Sequence, residues 1–85
     1  MSNLWFIHTG CDKEDGFDRG GHDFNIGTQN RKNNADECCQ DCKRYDQCVA
    51  WTFNKQSGDC WLKDSVPAKT ANSIAVSGVV DRPGK

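Results

Sequence analysis

Six cysteines are the residues of this 85-residue chain whose spacing could support chemistry, and they stand at Cys11, Cys38, Cys39, Cys42, Cys48 and Cys60. Such a set can bind zinc, exchange electrons or form structural disulfides. Cys39 and Cys42 have the C-x-x-C spacing of zinc and thioredoxin-like sites, and His8 and His22 could supply nitrogen ligands. However, the chain has no second C-x-x-C, no histidine pair at finger spacing and no βαβ pattern. We therefore favour three disulfides and predict no metal site.

A second cluster of reactive side chains is acidic and consists of Asp12, Glu14, Asp15 and Asp18. Carboxylates this close together could hold calcium or act as an acid and base pair, but the spacing of a calcium-binding loop is absent. Both histidines fall in segments that we expect to be exposed, and no nucleophile motif accompanies them. We therefore predict a solvated loop here, no catalytic residues, no cofactor and no enzymatic activity.

The composition indicates one small domain spanning residues 1–85. Outside the cysteines only 24 residues are apolar and five of these are alanine, so the core is thin and needs covalent support. A net charge of −1 gives little electrostatic support for binding nucleic acid. The longest run of bulky apolar residues, Leu4–Ile7, is too short to insert into a membrane. We expect a monomeric domain with a core over residues 4–80 and a disordered tail over 81–85. We also expect it to have been excised from a larger secreted protein of several domains.

One helix is predicted from Ala35 to Tyr45. Asn34 can cap its first turn by accepting a backbone hydrogen bond, and Glu37 completes a capping-box pattern three residues later. Acidic residues lie near the start of this segment and basic residues near its end, which suits the helix dipole.

The remaining elements are predicted to be strands and loops. A hairpin joins Cys48–Phe53 to Asp59–Lys63, and further strands are expected at Leu4–His8 and Ile74–Val80. The polar segment from Gly10 to Asn34 is expected to be a long loop that contains one short strand around Asp23–Ile26. These elements indicate an α+β fold.

The direction of each helical cysteine limits how the six can pair. Cys38 and Cys42, four residues apart, share a helical face that the hairpin can cover, whereas Cys39 points about 100° away. Cys48 lies across a short turn from Cys42, and only Cys11 remains for Cys39. The pairs that satisfy these directions are Cys38–Cys60, Cys42–Cys48 and Cys11–Cys39.

Four cysteines and their neighbours form a distinctive pattern, which consists of Cys38 and Cys42 on the helix, Cys48 before an apolar-Thr-Phe strand, and the sequence Cys60-Trp-Leu-Lys63. This pattern resembles that of the PAN/apple domain family. The resemblance implies a single helix cradled by a curved antiparallel sheet of about five strands. It also implies the pairs Cys38–Cys60 and Cys42–Cys48.

Two departures from the common pattern of the family indicate which of its groups this chain resembles. Apple domains of blood proteases join their terminal strands by a disulfide, but this chain has no cysteine after Cys60 and has instead a doublet at Cys38-Cys39 with Cys11 upstream. That variant is similar to the apple domains of apicomplexan microneme proteins, those of Eimeria among them, and oomycete cellulose-binding lectins are another possible relative.

The microneme resemblance implies an extracellular adhesion module that passes through the secretory pathway to the microneme organelle. Its expected partners are a host-cell surface glycan or protein receptor, or sister microneme proteins. The alternative is a regulatory or docking domain of a serine-protease zymogen. The sequence identifies no ligand-binding residues, although Trp61 with Lys63 and Tyr45 with Lys43 pair an aromatic ring with a polar neighbour, as sugar sites do. Trp5, Trp51 and Phe53 are expected in the core.

Overall fold

The computed structural model describes residues 11–25 and 29–81 of the chain. Over these ranges it contains one helix and four strands. In chain order they are β1 (Glu14–Asp18), α1 (Ala35–Lys43), β2 (Ala50–Asn54), β3 (Cys60–Lys63) and β4 (Thr70–Val79). The strand predicted at Leu4–His8, the core position predicted for Trp5 and all but the first residue of the predicted tail lie outside the described residues.

The four strands form one antiparallel sheet in the order β1-β4-β2-β3, and α1 packs mainly on β2, with further contacts to β3 and β4. This arrangement confirms the predicted α+β class and the single helix on an antiparallel sheet, with four strands in the described residues against the expected five. The core between them contains Trp51 and Phe53, as predicted, together with Leu62, Val76 and five of the six cysteines. The cysteines therefore provide much of the interior of this small domain.

The N-terminus of α1 has the predicted cap. The Asn34 side chain accepts a hydrogen bond from the Glu37 amide at 2.9 Å, and the Glu37 carboxylate accepts one from the Asn33 amide at 2.9 Å. The helix ends at Lys43, two residues earlier than predicted. The amides of Arg44 and Tyr45 bond instead to the carbonyls three residues back, which tightens the last turn and closes the helix.

The predicted hairpin is β2 with β3, and its turn is fixed by polar groups. The Asn54 side chain accepts hydrogen bonds from the amides of Gln56 and Ser57, and Gly58 adopts a φ of +81°, where a side chain would be strained. The strand β2 begins at Ala50 rather than at Cys48, because Cys48 still belongs to the turn after α1, where its amide bonds to the Tyr45 carbonyl.

The prediction of a long loop over Gly10–Asn34, with a short strand around Asp23–Ile26, misses β1 at Glu14–Asp18. This five-residue strand pairs with β4, and β4 in turn begins at Thr70 rather than at Ile74, because Thr70 and Ala71 pair with Asp18 and Phe17. The register shifts at Gly16, which has a φ of +90°. The sequence Glu-Asp-Gly-Phe-Asp has little intrinsic strand preference, so the pairing comes from β4 and not from β1 itself.

Residues on either side of the gap in the description, 21–25 and 29–30, cover the outer edge of β3. Phe24 donates its amide to the Leu62 carbonyl at 2.9 Å, and Cys60 donates its amide to the Asn30 carbonyl at 2.8 Å. Of the short strand expected around Asp23–Ile26, the described residues form a single bridge between Asp23 and Lys63, and Ile26 lies outside them. The polar segment therefore satisfies the β3 edge that would otherwise be open to pairing with another chain.

Candidate ligand-binding groove

Three disulfides fix the framework on which any site must be built. The structure joins Cys11 to Cys39, Cys38 to Cys60 and Cys42 to Cys48, with Cα–Cα distances of 6.4, 5.5 and 5.3 Å. These are the pairs that the helical directions favoured. Since the sulfur atoms of Cys39 and Cys42 each belong to a disulfide, neither is available as a thiolate ligand for zinc. Among the described residues, no group of histidine, cysteine and acidic side chains is placed to hold a metal ion.

The acidic cluster of the sequence is not brought together in space. Glu14 bonds to Arg19 at 2.9 Å and to Lys69 at 2.6 Å, whereas Asp15 pairs with Lys55 at 2.6 Å. Hydrogen bonds from Lys69 and then from Arg19 lower the pKa of Glu14 below its ordinary value of 4.5. These carboxylates therefore join neighbouring segments and do not form a calcium or acid–base site.

Tyr45 lies on the turn that joins α1 to β2, and 46% of it is exposed. The Cys42–Cys48 disulfide closes this turn, the Tyr45 amide donates to the Cys42 carbonyl at 3.2 Å, and the Tyr45 carbonyl accepts from the Cys48 amide at 3.0 Å. The backbone of Tyr45 is thus held on both sides by a covalent loop. An aromatic side chain is presented at the surface from a rigid base.

Phe24 and two asparagines form the wall opposite Tyr45. The rings of Phe24 and Tyr45 meet edge to face, with centroids 6.1 Å apart and planes at 71°. Asn25 and Asn30 both donate side-chain hydrogen bonds to the Cys60 carbonyl, at 3.1 and 3.2 Å, and the Asn25 side chain accepts from the Leu62 amide at 3.0 Å. This wall is therefore attached to the edge of β3.

A buried carboxylate, that of Asp41 on α1, lies beside this wall. Asp41 is 5% exposed and accepts a hydrogen bond from the Asn30 side chain at 3.0 Å. Lys32 approaches it at 3.7 Å and Arg44 at 3.8 Å, and the Arg44 side chain is 74% exposed. Asp41 thereby connects the helix to the segment that carries Asn30 and Lys32.

These residues enclose a groove of about 520 Å³, which we call the Tyr45 groove, defined by Phe24, Asn30, Lys32, Asp41, Arg44 and Tyr45. Leu62 lies at its base, and the side-chain amides of Asn25, Gln29 and Gln47 complete its lining. An aromatic surface surrounded by amides, a carboxylate and two cations suits a polar ligand that carries many hydroxyl groups.

The second aromatic pair singled out in the sequence does not form a comparable site. Trp61 is half-buried on β3, and Lys63 is only 2% exposed, with its ammonium donating to the Gly21 carbonyl at 3.2 Å and to Asp23. Lys63 is therefore unavailable to a ligand. Of the two pairs, only Tyr45 presents its ring in a groove with exposed polar groups.

A separate apolar surface lies at the far end of β4. We call it the valine groove and define it by Val49, Val66, Val79 and Val80; it encloses about 630 Å³. Val66 is 49% exposed and Val79 is 43% exposed, so this groove holds two of the three exposed large hydrophobic residues in the described part of the chain. Asp64 and Asp81 lie at its rim.

Most of the Tyr45 groove was not predicted from the sequence. Asn25, Asn30 and Lys32 come from the segment predicted as loop, and no local pattern indicates that they meet the end of the helix. The sequence does contain an indication that Asp41 is buried. It follows Cys38 by three residues and so lies on the same face of the helix as the buried cysteines. A carboxylate on a buried stripe requires partners, and in the structure they are Asn30, Lys32 and Arg44.

Comparison with models of known protein families gives a match over the part of the chain that contains the helix, the hairpin and the groove. The family model of the PAN domain matches residues 17–63, which include α1, β2, β3, both disulfides of the helix and hairpin, and the described residues of the Tyr45 groove. This span is more than half of the chain. The chain belongs to the PAN domain family. No curated protein matches the sequence of this PAN domain.

PAN domains are binding modules of secreted proteins that recognise proteins or carbohydrates, and they are typically not catalytic. Three disulfides suit the extracellular setting that this family implies. Within residues 11–25 and 29–81, the only helix has nine residues and is neither long nor apolar enough to span a membrane.

Proposed function

We propose that this PAN domain is an adhesion module of a secreted, microneme-type protein and that it binds glycans through the Tyr45 groove. The single observation that supports glycan binding is the exposed, covalently braced Tyr45 ring beside the side-chain amides that line the groove. A sugar ring can lie on the aromatic face while its hydroxyl groups exchange hydrogen bonds with the polar lining.

The microneme assignment is supported by the cysteine pattern. The Cys38-Cys39 doublet, with Cys11 upstream, resembles the cysteine pattern of microneme apple domains. Under this proposal the partners are host-cell surface glycans or receptors, and sister modules supply avidity that one domain lacks. A precursor with a signal peptide and repeated PAN domains supports the proposal, whereas a protease domain in the same precursor supports the zymogen alternative.

Glycan binding is tested on an array with a tandem protein of two linked copies of the domain, followed by titration of the single domain by NMR. We expect wild type and Tyr45→Phe to bind, because both keep the aromatic face. Tyr45→Ala should bind at least about tenfold more weakly, a loss of about 1.4 kcal/mol. The matched control is Val66→Ser, which alters an equally exposed residue outside the groove. The proposal fails if the tandem protein binds no glycan, or if Tyr45→Ala binds as wild type does.

A second candidate function, protein binding, is favoured by the valine groove. Its exposed valines and the rim carboxylates of Asp64 and Asp81 fit a partner segment that presents an aliphatic side chain beside a lysine or arginine. A displayed peptide library should then enrich basic-aliphatic sequences. Their binding should be lost in Val66→Ser and kept in Tyr45→Ala, the reverse of the pattern expected for glycans. Enrichment of peptides that Val66→Ser still binds would exclude this groove.

A further inference from the structure

We infer that the Tyr45 groove selects glycans bearing a carboxylate, such as a terminal acidic sugar, over neutral glycans. This inference rests on the proposed glycan-binding function and adds the charge of the ligand. It begins from the three charged side chains that line the groove, which are Lys32, Asp41 and Arg44. Two of them are cations and one is an anion, so the lining carries one positive charge in excess.

The negative charge in the groove is already engaged by the protein. Asp41 is buried and accepts a hydrogen bond from Asn30 at 3.0 Å, while Lys32 and Arg44 lie at 3.7 and 3.8 Å from its two oxygens. A buried carboxylate with this many partners stays in place and offers a ligand little more than its existing contacts. The groove therefore attracts an anion and not a cation.

Arg44 is the cation that can reach a ligand. Its side chain is 74% exposed, and its contact with Asp41 is longer than a hydrogen bond, so most of its five donors face the solvent. A guanidinium binds a carboxylate with two parallel hydrogen bonds, and such charge-assisted pairs are stronger than neutral ones. Lys32 is 25% exposed and adds a second positive charge.

Among the described residues, Asp41 is the only acidic side chain in the lining of the groove. Asp46, next to Tyr45 in the chain, lies outside that lining, and two further acidic residues nearby are engaged by other groups. Asp36 pairs with Lys13 at 2.6 Å, and Glu37 accepts a hydrogen bond from the Asn33 amide in the helix cap. An acidic peptide could satisfy Arg44 as well. The exposed Tyr45 ring and the surrounding amides favour a sugar, since they offer one flat apolar face and many hydrogen-bonding groups.

The test compares lactose with sialyllactose, which differ by one carboxylate-bearing sugar, by NMR titration of the whole domain. We expect wild type to bind sialyllactose at least about tenfold more tightly than lactose at low salt, because one Arg–carboxylate pair contributes about that factor. Arg44→Gln should reduce this ratio to below about threefold, because the loss falls mainly on sialyllactose. The preference should also shrink as the salt concentration rises.

The matched control is Arg31→Gln. Arg31 is likewise an exposed arginine, 61% accessible, with one contact to a carboxylate at 3.4 Å, but it does not line the groove. The Arg31→Gln variant should leave the ratio of sialyllactose affinity to lactose affinity unchanged. Equal binding of the two sugars, both weakened by Tyr45→Ala, would overturn this inference and leave the proposed function intact. Binding of neither sugar, even by tandem domains, would count against the proposed function itself. A short glutamate-rich peptide that binds more tightly than sialyllactose, in an Arg44-dependent way, would overturn the assignment to glycans.

Discussion

At the scale of single residues, Lys63 is the least expected feature of the interior. A lysine that is 2% exposed must have its charge compensated, and here the ammonium donates to Asp23 and to the Gly21 carbonyl. Lys63 thereby connects β3 to the segment that covers the edge of β3. That segment also carries Phe24 and Asn25, so the ion pair supports the wall of the Tyr45 groove.

Replacing Lys63 by methionine should lower the free energy of unfolding by about 3 kcal/mol, because it leaves the Asp23 carboxylate without its buried cation. Urea unfolding measures the change. Lys69→Met is the control, since Lys69 makes an exposed ion pair with Glu14 and its loss should cost less than about 1 kcal/mol. Equal stability of the two variants would contradict the structural role given to Lys63.

Gly78 is a second residue whose identity is dictated by packing. A Cβ atom at this position would lie 2.7 Å from the Asp12 carbonyl oxygen and 2.7 Å from Cζ2 of Trp51. The Trp51 ring is fully buried and cannot move aside without disturbing the core.

Gly78→Ala should therefore destabilise the domain by about 1–3 kcal/mol through overpacking. The matched control is Gly20→Ala, where the added Cβ would meet one side-chain atom at 3.7 Å, and the change should stay within about 0.5 kcal/mol. Thermal unfolding followed by tryptophan fluorescence distinguishes them. A Gly78→Ala variant that unfolds at the wild-type temperature would be evidence against the close contact.

At the scale of elements, the contact of β1 with the segment before β4 depends on ion pairs. Glu14 on β1 bonds to Lys69 and Arg19, Arg19 also donates to the Pro67 carbonyl at 2.7 Å, and Lys69 lies 4.8 Å from the centre of the Phe17 ring. Glu14 is one-third exposed, so its contribution to stability is modest.

The lowered pKa of Glu14 gives this contribution a defined pH dependence. A carboxyl group whose pKa is lower in the folded state stabilises the fold above its unfolded value of 4.5 and loses that effect as the pH falls through the folded pKa. Wild type should thus be more stable than Glu14→Gln at neutral pH, and the difference should disappear under acidic conditions below pH 4.5. Urea unfolding of both proteins across this range measures it, and a difference that persists to the lowest pH would refute the assignment.

The helix and the β2–β3 hairpin were predictable because their signals are local. The Asn34 cap, the polar turn before Gly58 and the β-branched and aromatic residues around Trp51 each specify structure within a few residues. The pairing of the cysteines was predictable from the helix itself, because the side chains of consecutive residues such as Cys38 and Cys39 point about 100° apart.

The strand β1 and the Tyr45 groove were not predictable because each depends on distant partners. The residues of β1 form a strand only beside β4, which lies far later in the chain, and Lys32 meets Arg44 only through Asp41. No pattern within a short stretch of sequence specifies these contacts, because they depend on residues that are distant in the chain. The shared helical stripe of Cys38 and Asp41 was the one local indication.

At the scale of the whole molecule, the disulfides differ in what they contribute. The longer loop contributes more to the free energy of unfolding, and the shorter loop holds the Tyr45 turn in place. Cys11–Cys39 closes a separation of 28 residues and Cys42–Cys48 closes one of six. The chain-entropy relation gives about 3–4 kcal/mol for the longer loop and about 2 kcal/mol for the shorter. Of these two loops, only the shorter contains Tyr45.

The double variant Cys11→Ala/Cys39→Ala should therefore lose more stability than Cys42→Ala/Cys48→Ala. Hydrogen exchange should show the opposite order at the site, with the amides of Tyr45 and Cys48 exchanging faster only when Cys42–Cys48 is absent. Urea unfolding and amide exchange by NMR give the two measurements. Equal exchange at these amides in both variants would mean that the short disulfide does not brace the turn.

Peptide mapping of the native protein should return the pairs Cys11–Cys39, Cys38–Cys60 and Cys42–Cys48. Trypsin alone cannot separate them, because Cys38, Cys39 and Cys42 lie in one tryptic peptide, residues 33–43. Stepwise reduction with alkylation after each step resolves the three bonds. A free thiol at Cys11, or a bond from Cys11 to Cys38, would contradict the pairing.

The short span between Cys42 and Cys48 also bears on the order in which the bonds form. In a reduced chain the ends of a six-residue loop meet more often than those of loops of 22 or 28 residues, because the entropy lost on closure rises with length. We expect this bond to form first during oxidation. The remaining four cysteines then have three possible pairings instead of the fifteen open to six. The same small ring that holds Tyr45 for its ligand would thus also guide the newly made chain away from most of its misfolded isomers.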